Sequence, residues 1–178
     1  MSRPVRTNPR ELGVFFDLGY AACGVSVLEV KVRKVVDHFT IETPRKELLS
    51  QRFSLLHRQI VLVISRPGVV VTGYESPLKV GKAKQKQKQT NFNPMLLCKV
   101  AGYVESVAWE RGLPCYEEDP QAIKRGVLGR GGGTGTKEAV RRAVQAILGI
   151  EMRDHEADAT ATGLVVARKW AVERARAD

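Results

Sequence analysis

The chain has 178 residues, 43% hydrophobic and 27% charged, the size and balance of one ordinary globular domain with a single core, which excludes a wholly disordered protein. Its 29 lysines and arginines against 19 acids leave a net charge of +10. That field draws polyanions: nucleic acid is the commonest, although an anionic membrane or an acidic protein would satisfy the same charge.

Residues 1–12 are polar, basic and proline-bearing and read as a flexible N-terminal arm; residues 13–178 read as a single domain. From Gly13, "GVFFDLGY" is an apolar strand that ends in Asp17 and Gly19. "CGVSVLEVKV" alternates as a second strand and "VVDHFTIET" as a third, and their close spacing predicts an antiparallel meander. Leu49, Phe53, Leu56, Ile60 and Val63 then recur at helical spacing, with Thr43 as a cap and Arg66-Pro67-Gly68 as the stop. "IVLVIS" within that stretch has strand propensity, but the stripe stays in phase through it. Val69 to Glu75 is a fourth strand. Past a lysine-dense segment come a second helix, Pro94 to Arg111, and a short fifth strand, "PCYEED". "KRGVLGRGGGTGTK" reads as a flexible glycine-rich loop, and "KEAVRRAVQAILG" and "DHEADATATGLVVARKWAVERA" as two further helices. The order predicts an α/β fold with a mixed five-stranded sheet flanked by helices. Cys23, Cys98 and Cys115 include no CxxC pair and read as free thiols of a reducing compartment. With no apolar signal region and no membrane-length stretch, the expected location is cytoplasmic.

Four side chains stand at element ends rather than on solvated faces: Asp17 closes the first strand, Glu75 closes the fourth, and His155 and Asp158 lie three apart at the start of the last helix, on one face. If the first and fourth strands are neighbours and the helix crosses their ends, the four converge. Oxygen donors with one imidazole suit Mg2+ or Mn2+ better than zinc. Two such ions about 4 Å apart clamp the attacking and leaving oxygens of a phosphodiester. The lysines Lys79, Lys82, Lys84, Lys86 and Lys88 would bring a phosphate backbone to that pocket. Each feature also has an ordinary reading. Asp17 suits a turn, Glu75 a solvated strand end, and His155 an exposed helix position. Asp154, Glu156 and Asp158 complement a helix dipole, with Asp154 a possible N-cap, and charge runs are commonly solvated.

Taken in order, these stretches resemble the RuvC family of Holliday junction resolvases, from about Gly13 to Trp170. "GVFFDLG" is similar to the family's first-strand motif, "VVVTGYES" to the fourth-strand motif ending in the second ligand, and "HEADATATG" to the last-helix motif. "PQAIKRGVLGRGGGTGTKEAVRRAV" resembles a lysine, a glycine-bearing loop and a second lysine opening a helix, at Lys124 and Lys137. Leu18 stands where the family usually has proline, the glycine loop is richer, and the lysine run is denser, as in variant members found in phages.

The resemblance implies an RNase H-like fold and a homodimeric, Mg2+- or Mn2+-dependent endonuclease. It would hold two ions per site and make paired nicks in a four-way DNA junction. Asp17, Glu75 and Asp158 would bind the ions, and His155 would complete a metal shell or assist the water. Lys124 and Lys137 would contact phosphate near the cut, and the lysine run would grip the junction arms. Leu78 or Phe92 would take the place of the family's aromatic wedge, and the helix from Pro94 to Arg111 would carry the dimer surface through Met95, Leu96, Tyr103 and Val107. The rivals are an RNase H-like nuclease acting on flaps, forks or RNA–DNA hybrids, a non-catalytic nucleic-acid-binding descendant, and a basic structural or ribosome-associated protein.

Overall fold

The computed structural model describes residues 10–77 and 93–177. Leu78, Lys79, Lys82, Lys84, Lys86, Lys88 and Phe92 lie outside the described residues.

Strands β1 (Leu12–Asp17), β2 (Ala22–Glu29), β3 (Lys34–Glu42), β4 (Val69–Glu75) and β5 (Cys115–Glu118) form one sheet in the order β3-β2-β1-β4-β5. The first three make the antiparallel meander, while β4 runs parallel to β1 and β5 parallel to β4. The sheet is therefore mixed and five-stranded, with β1 in the middle. A central strand covered on both faces has no need to alternate. Accordingly Val14 and Phe16 enter one core and Phe15 the other, all fully buried.

On one face lie α1 (Leu49–Ile64) and α2 (Pro94–Glu110); on the other lie α3 (Pro120–Leu128), α4 (Lys137–Leu148) and α5 (Asp154–Ala177). Phe53, Leu56, Ile60 and Val63 of α1 are buried as their spacing predicts, which settles "IVLVIS" as helix. The face of α5 on the sheet is built from small residues, Ala157, Ala161 and Gly163 among them. A methyl group on Gly163 would meet Phe15 and Leu28 at 2.5 and 2.6 Å, so helix and sheet approach more closely than larger side chains allow.

Several boundaries differ from the sequence reading. The arm over residues 1–12 gives way earlier, because Leu12 opens β1 and Glu11 is bonded to Arg174 and Lys31. Strand β2 stops at Glu29, since the amide of Val30 turns to the carbonyl of Glu11 and Arg33 takes a positive φ of 53°. Thr43 does not cap α1: its hydroxyl donates to the carbonyl of Tyr20, and the helix starts after Leu48, whose N–H is accepted by the Gln51 side chain. Leu49 is 40% exposed because it opens the helix outside the packed stripe.

The glycine-rich loop read over 124–137 is half helix. Asp119 accepts from the amide of Gln121 and Pro120 stands at the first turn, so α3 forms through Lys124 and Gly126, and only residues 129–136 remain as a connection around a 3-10 turn, Gly132–Thr134. Of the dimer stripe read on α2, Val107 alone is excluded by burial. Val107 is fully enclosed in the chain's own core, and Leu96 and Tyr103 pack against it. Met95 and Trp109 are the apolar residues of α2 that face solvent, at 73% and 86% exposure.

All three cysteines are free thiols, and burial pushes Cys23 and Cys115 up to about 12. Among the described residues no helix is long and apolar enough to cross a membrane.

Candidate active site

The parallel pairing of β1 with β4 places Phe16 opposite Tyr74, so Asp17 and Glu75, one residue further on, end adjacent strands at the same edge of the sheet. Carboxyl ends of parallel strands are where α/β sheets build their sites. Helix α5 starts over that edge, and its position is fixed by β2. A Cβ built on Gly24 would lie 2.0 Å from the carbonyl oxygen of His155 and 2.4 Å from its carbonyl carbon. Only a residue without a side chain lets the helix backbone come so near. The close approach delivers His155 to Asp17, with Nδ1 of the ring 2.6 Å from Oδ2 of the carboxylate.

One turn further along α5, Asp158 accepts a hydrogen bond of 2.8 Å from Nζ of Lys137, the first residue of α4, whose helix is capped by Thr136. Burial would lower the lysine's pKa, yet it stands above its ordinary value because Asp158, Asp17 and Glu75 all act on it. Burial raises the Asp158 carboxyl, the charge of Asp17 adds to that, and Lys137 and His155 offset only part of it. His155 is held above the ordinary imidazole range by its bond to Asp17, against desolvation and the repulsion of Lys137. Asp17, Asp158, Glu75 and His155 thus share one electrostatic neighbourhood.

Lys124 is engaged differently: its Nζ donates to the carbonyl of Gly135 at 2.6 Å and tethers the glycine connection to α3. Beside His155, the turn between β1 and β2 carries Tyr20, which with Arg45 and Arg52 lines a cavity of about 490 Å³. Sequence spacing had not marked these three. Arg52 lies on the polar side of the α1 stripe, and Tyr20 looks like an ordinary turn residue.

Among the described residues, no three of Asp, Glu, His and Cys stand close enough together to enclose a metal ion in this arrangement. The chemistry of the donor set nevertheless fits a divalent cation. Crowded carboxylates raise one another's pKa unless a cation neutralises them, and here a lysine ammonium supplies the counter-charge that Mg2+ or Mn2+ could supply in its place. Three carboxylates are hard oxygen donors of the kind those ions prefer, and a single imidazole beside them does not shift the set toward zinc.

Two solved structures share the architecture. Thermus thermophilus RuvC is similar with a TM-score of 0.74 at 23% identity, covering 91% of this chain and 96% of its own. T. thermophilus RuvC in complex with Holliday junction substrate gives 0.75 at 24%, covering 92% and 96%. The strand order, the helices on both faces and these likenesses define an RNase H-like fold with an acidic edge beside its central strand. No family model matches the chain. Curated relatives named crossover junction endodeoxyribonuclease RuvC align along most of it. That of Leifsonia xyli subsp. xyli is 26% identical over 166 residues, 90% of this chain and 74% of the relative. Those of Pseudothermotoga lettingae and Pseudarthrobacter chlorophenolicus are 25% and 28% identical, over 85% and 90% of this chain and 88% and 80% of their own lengths. These relatives, with the shared fold, support a place for the chain in the RuvC family.

Proposed function

We propose that the protein is a structure-selective DNA endonuclease that resolves four-way junctions by paired symmetric nicks. It acts as a homodimer, with two Mg2+ or Mn2+ ions in each active site. The observation that carries the reading is that Asp17 and Glu75 end adjacent parallel strands, with His155 bonded to Asp17 and, one turn further along the same helix, Asp158 bonded to Lys137. The names of the curated relatives and the junction-bound neighbour support DNA of this class as substrate.

When bound, the ions would activate a water and neutralise charge developing on the scissile phosphate. Asp17, Glu75 and Asp158 would hold them. His155, fixed through Nδ1 by Asp17, keeps Nε2 as the ring nitrogen that can exchange a proton or complete a metal shell. Lys137, bonded to Asp158 and opening α4, would meet a phosphate at the N-terminus of that helix, where the helix dipole favours an anion.

Lys124 braces the loop that presents Lys137 and lies beside the same strand of DNA. Lys79, Lys82, Lys84, Lys86 and Lys88 follow the Glu75 strand and grip the arms, with Leu78 or Phe92 as the wedge. Two copies related by a two-fold axis match the symmetry of the junction, with Met95 and Trp109 of α2 the apolar groups available for that contact.

The test is cleavage of a synthetic mobile four-way junction beside flap, fork and RNA–DNA hybrid substrates, with products mapped. Paired, ligatable nicks at symmetric positions in Mg2+ and none in EDTA are expected. Faster cutting of a hybrid or flap would assign a different nuclease, and tight binding without cutting under any metal would leave a binding protein.

A further inference from the structure

Immediately after Asp17 the chain forms a recess that the metal-binding side chains do not use. The turn between β1 and β2 is clasped from outside: the hydroxyl of Thr43 donates to the carbonyl of Tyr20 at 2.8 Å and its amide donates to the carbonyl of Ala21 at 3.0 Å. Arg52, in the first turn of α1, completes the clasp. Its Nε donates to Oγ1 of Thr43 at 2.9 Å and its Nη2 to the carbonyl of Tyr20 at 3.1 Å, which sets the guanidinium carbon 5.2 Å from the centroid of the Tyr20 ring. Side chains held this way lose little further freedom when a ligand arrives, the condition for a preorganised site. The cavity beside the clasp, about 490 Å³, is lined by Tyr20, Arg45, Arg52, Leu97 and His155, with small residues of the turn closing the rest.

The wall combines an aromatic ring, a guanidinium plane, an exposed second arginine and one aliphatic side chain. A ligand that satisfies all of them has a flat π-face and an anionic group at a few ångströms' remove, which describes a nucleotide in an unpaired or splayed strand. The volume lies within the range of small-molecule pockets. Because His155 both lines the cavity and bonds to Asp17, whatever fills it adjoins the acidic edge along the strand.

We propose that this cavity seats the nucleotide next to the scissile phosphate, with Tyr20 as the stacking residue for its base and Arg45 as the contact for its outer phosphate. The proposal rests on the reading of the acidic edge as a DNA-cleaving site. It makes the rate of cutting depend on the presence of a base at one flanking position.

Two measurements separate this proposal from that reading. In the first, junction DNA carrying 2-aminopurine at each position near the cut is bound in EDTA, where no cleavage occurs. Wild type and Tyr20→Phe are expected to quench the probe at one flanking position, and Tyr20→Ala to leave it bright. In the second, an abasic residue at that position slows cleavage by wild type about tenfold, the scale of one lost stacking contact, and has no further effect on Tyr20→Ala. Quenching that depends on Tyr20 in a protein that cuts no junction would retire the nuclease reading and keep the pocket. Cleavage with no Tyr20-dependent quenching at any position, or with equal abasic effects in wild type and Tyr20→Ala, would overturn the pocket.

Discussion

Replacing Gly24 with alanine sets a methyl group against the backbone of the helix that carries two of the four site residues. The new Cβ would lie 2.0 Å from the carbonyl oxygen of His155, where an ordinary carbon–oxygen contact needs about 3.3 Å. Helix α5 would therefore retreat by roughly 1 Å or more, since β2 is pinned between β1 and β3 and cannot yield instead. A shift of that size carries the Nδ1 to Oδ2 contact of His155 with Asp17 from its present 2.6 Å toward the limit of hydrogen bonding. Misplacement by 1 Å costs catalysis on the order of a hundredfold, and overpacking a close helix–sheet contact costs about 1–3 kcal/mol of stability. Single-turnover cleavage of a four-way junction in Mg2+ measures the first effect, thermal unfolding the second, and a gel shift in EDTA shows whether junction affinity survives. A Gly24→Ala protein that cuts at the wild-type rate would refute the view that the near-contact of β2 with α5 sets the site.

Asp17→Asn keeps a hydrogen-bond acceptor beside His155 but removes the ligand charge; cleavage is expected to fall at least about a hundredfold while junction affinity in EDTA holds. Retained cutting would remove Asp17 from the ligand set. Changing Lys82, Lys84, Lys86 and Lys88 together to alanine is expected to weaken junction binding and to flatten the salt slope by up to roughly 3.6, at about 0.9 per phosphate contact. An unchanged slope in a filter-binding titration would make the run a solvated segment. Glu156, buried on α5, has its carboxyl below the ordinary range: burial raises it, but hydrogen bonds from His38, the Arg153 amide and Thr40 outweigh that. A lowered folded pKa contributes stability above the unfolded value of 4.5 that disappears as pH falls through the folded value. Glu156→Gln should therefore be less stable than wild type at neutral pH, with a shallower loss on acidification from pH 5 downward, and parallel unfolding curves across that range would contradict this.

Where regular elements set the placement, the residues are readable. "GVFFD" announces a strand covered on both faces that stops at an acid, and "VVVTGYE" does the same for its neighbour, so Asp17 and Glu75 could be matched before any contact was known. The i, i+3 spacing of His155 and Asp158 fixed a shared helix face. Their partners were another matter. Nothing local to Lys137 says that it will meet Asp158, because that contact depends on how α4 lies against α5. Thr43 has the chemistry of a helix cap and was read as one, but its hydroxyl is claimed by a turn more than twenty residues earlier, a tertiary bond overriding a local preference. The glycines between Lys124 and Lys137 suggested a loop throughout. Asp119 and Pro120 nevertheless start a helix that absorbs Gly126, whose hydrogen site packs against Val165 with no room for a methyl.

The ion pair between His155 and Asp17 joins residues 138 positions apart, the central strand's end and the start of the closing helix. A polypeptide emerging from the ribosome lays down β1 early and α5 late, so the chain must be synthesised through residue 155 of its 178 before the two can touch. Contacts of such separation are slow to close, and a chain cut short before residue 155 lacks both His155 and Asp158. Under the proposed function, a nascent chain would gain its cleaving site only once α5 has been made and docked on β2.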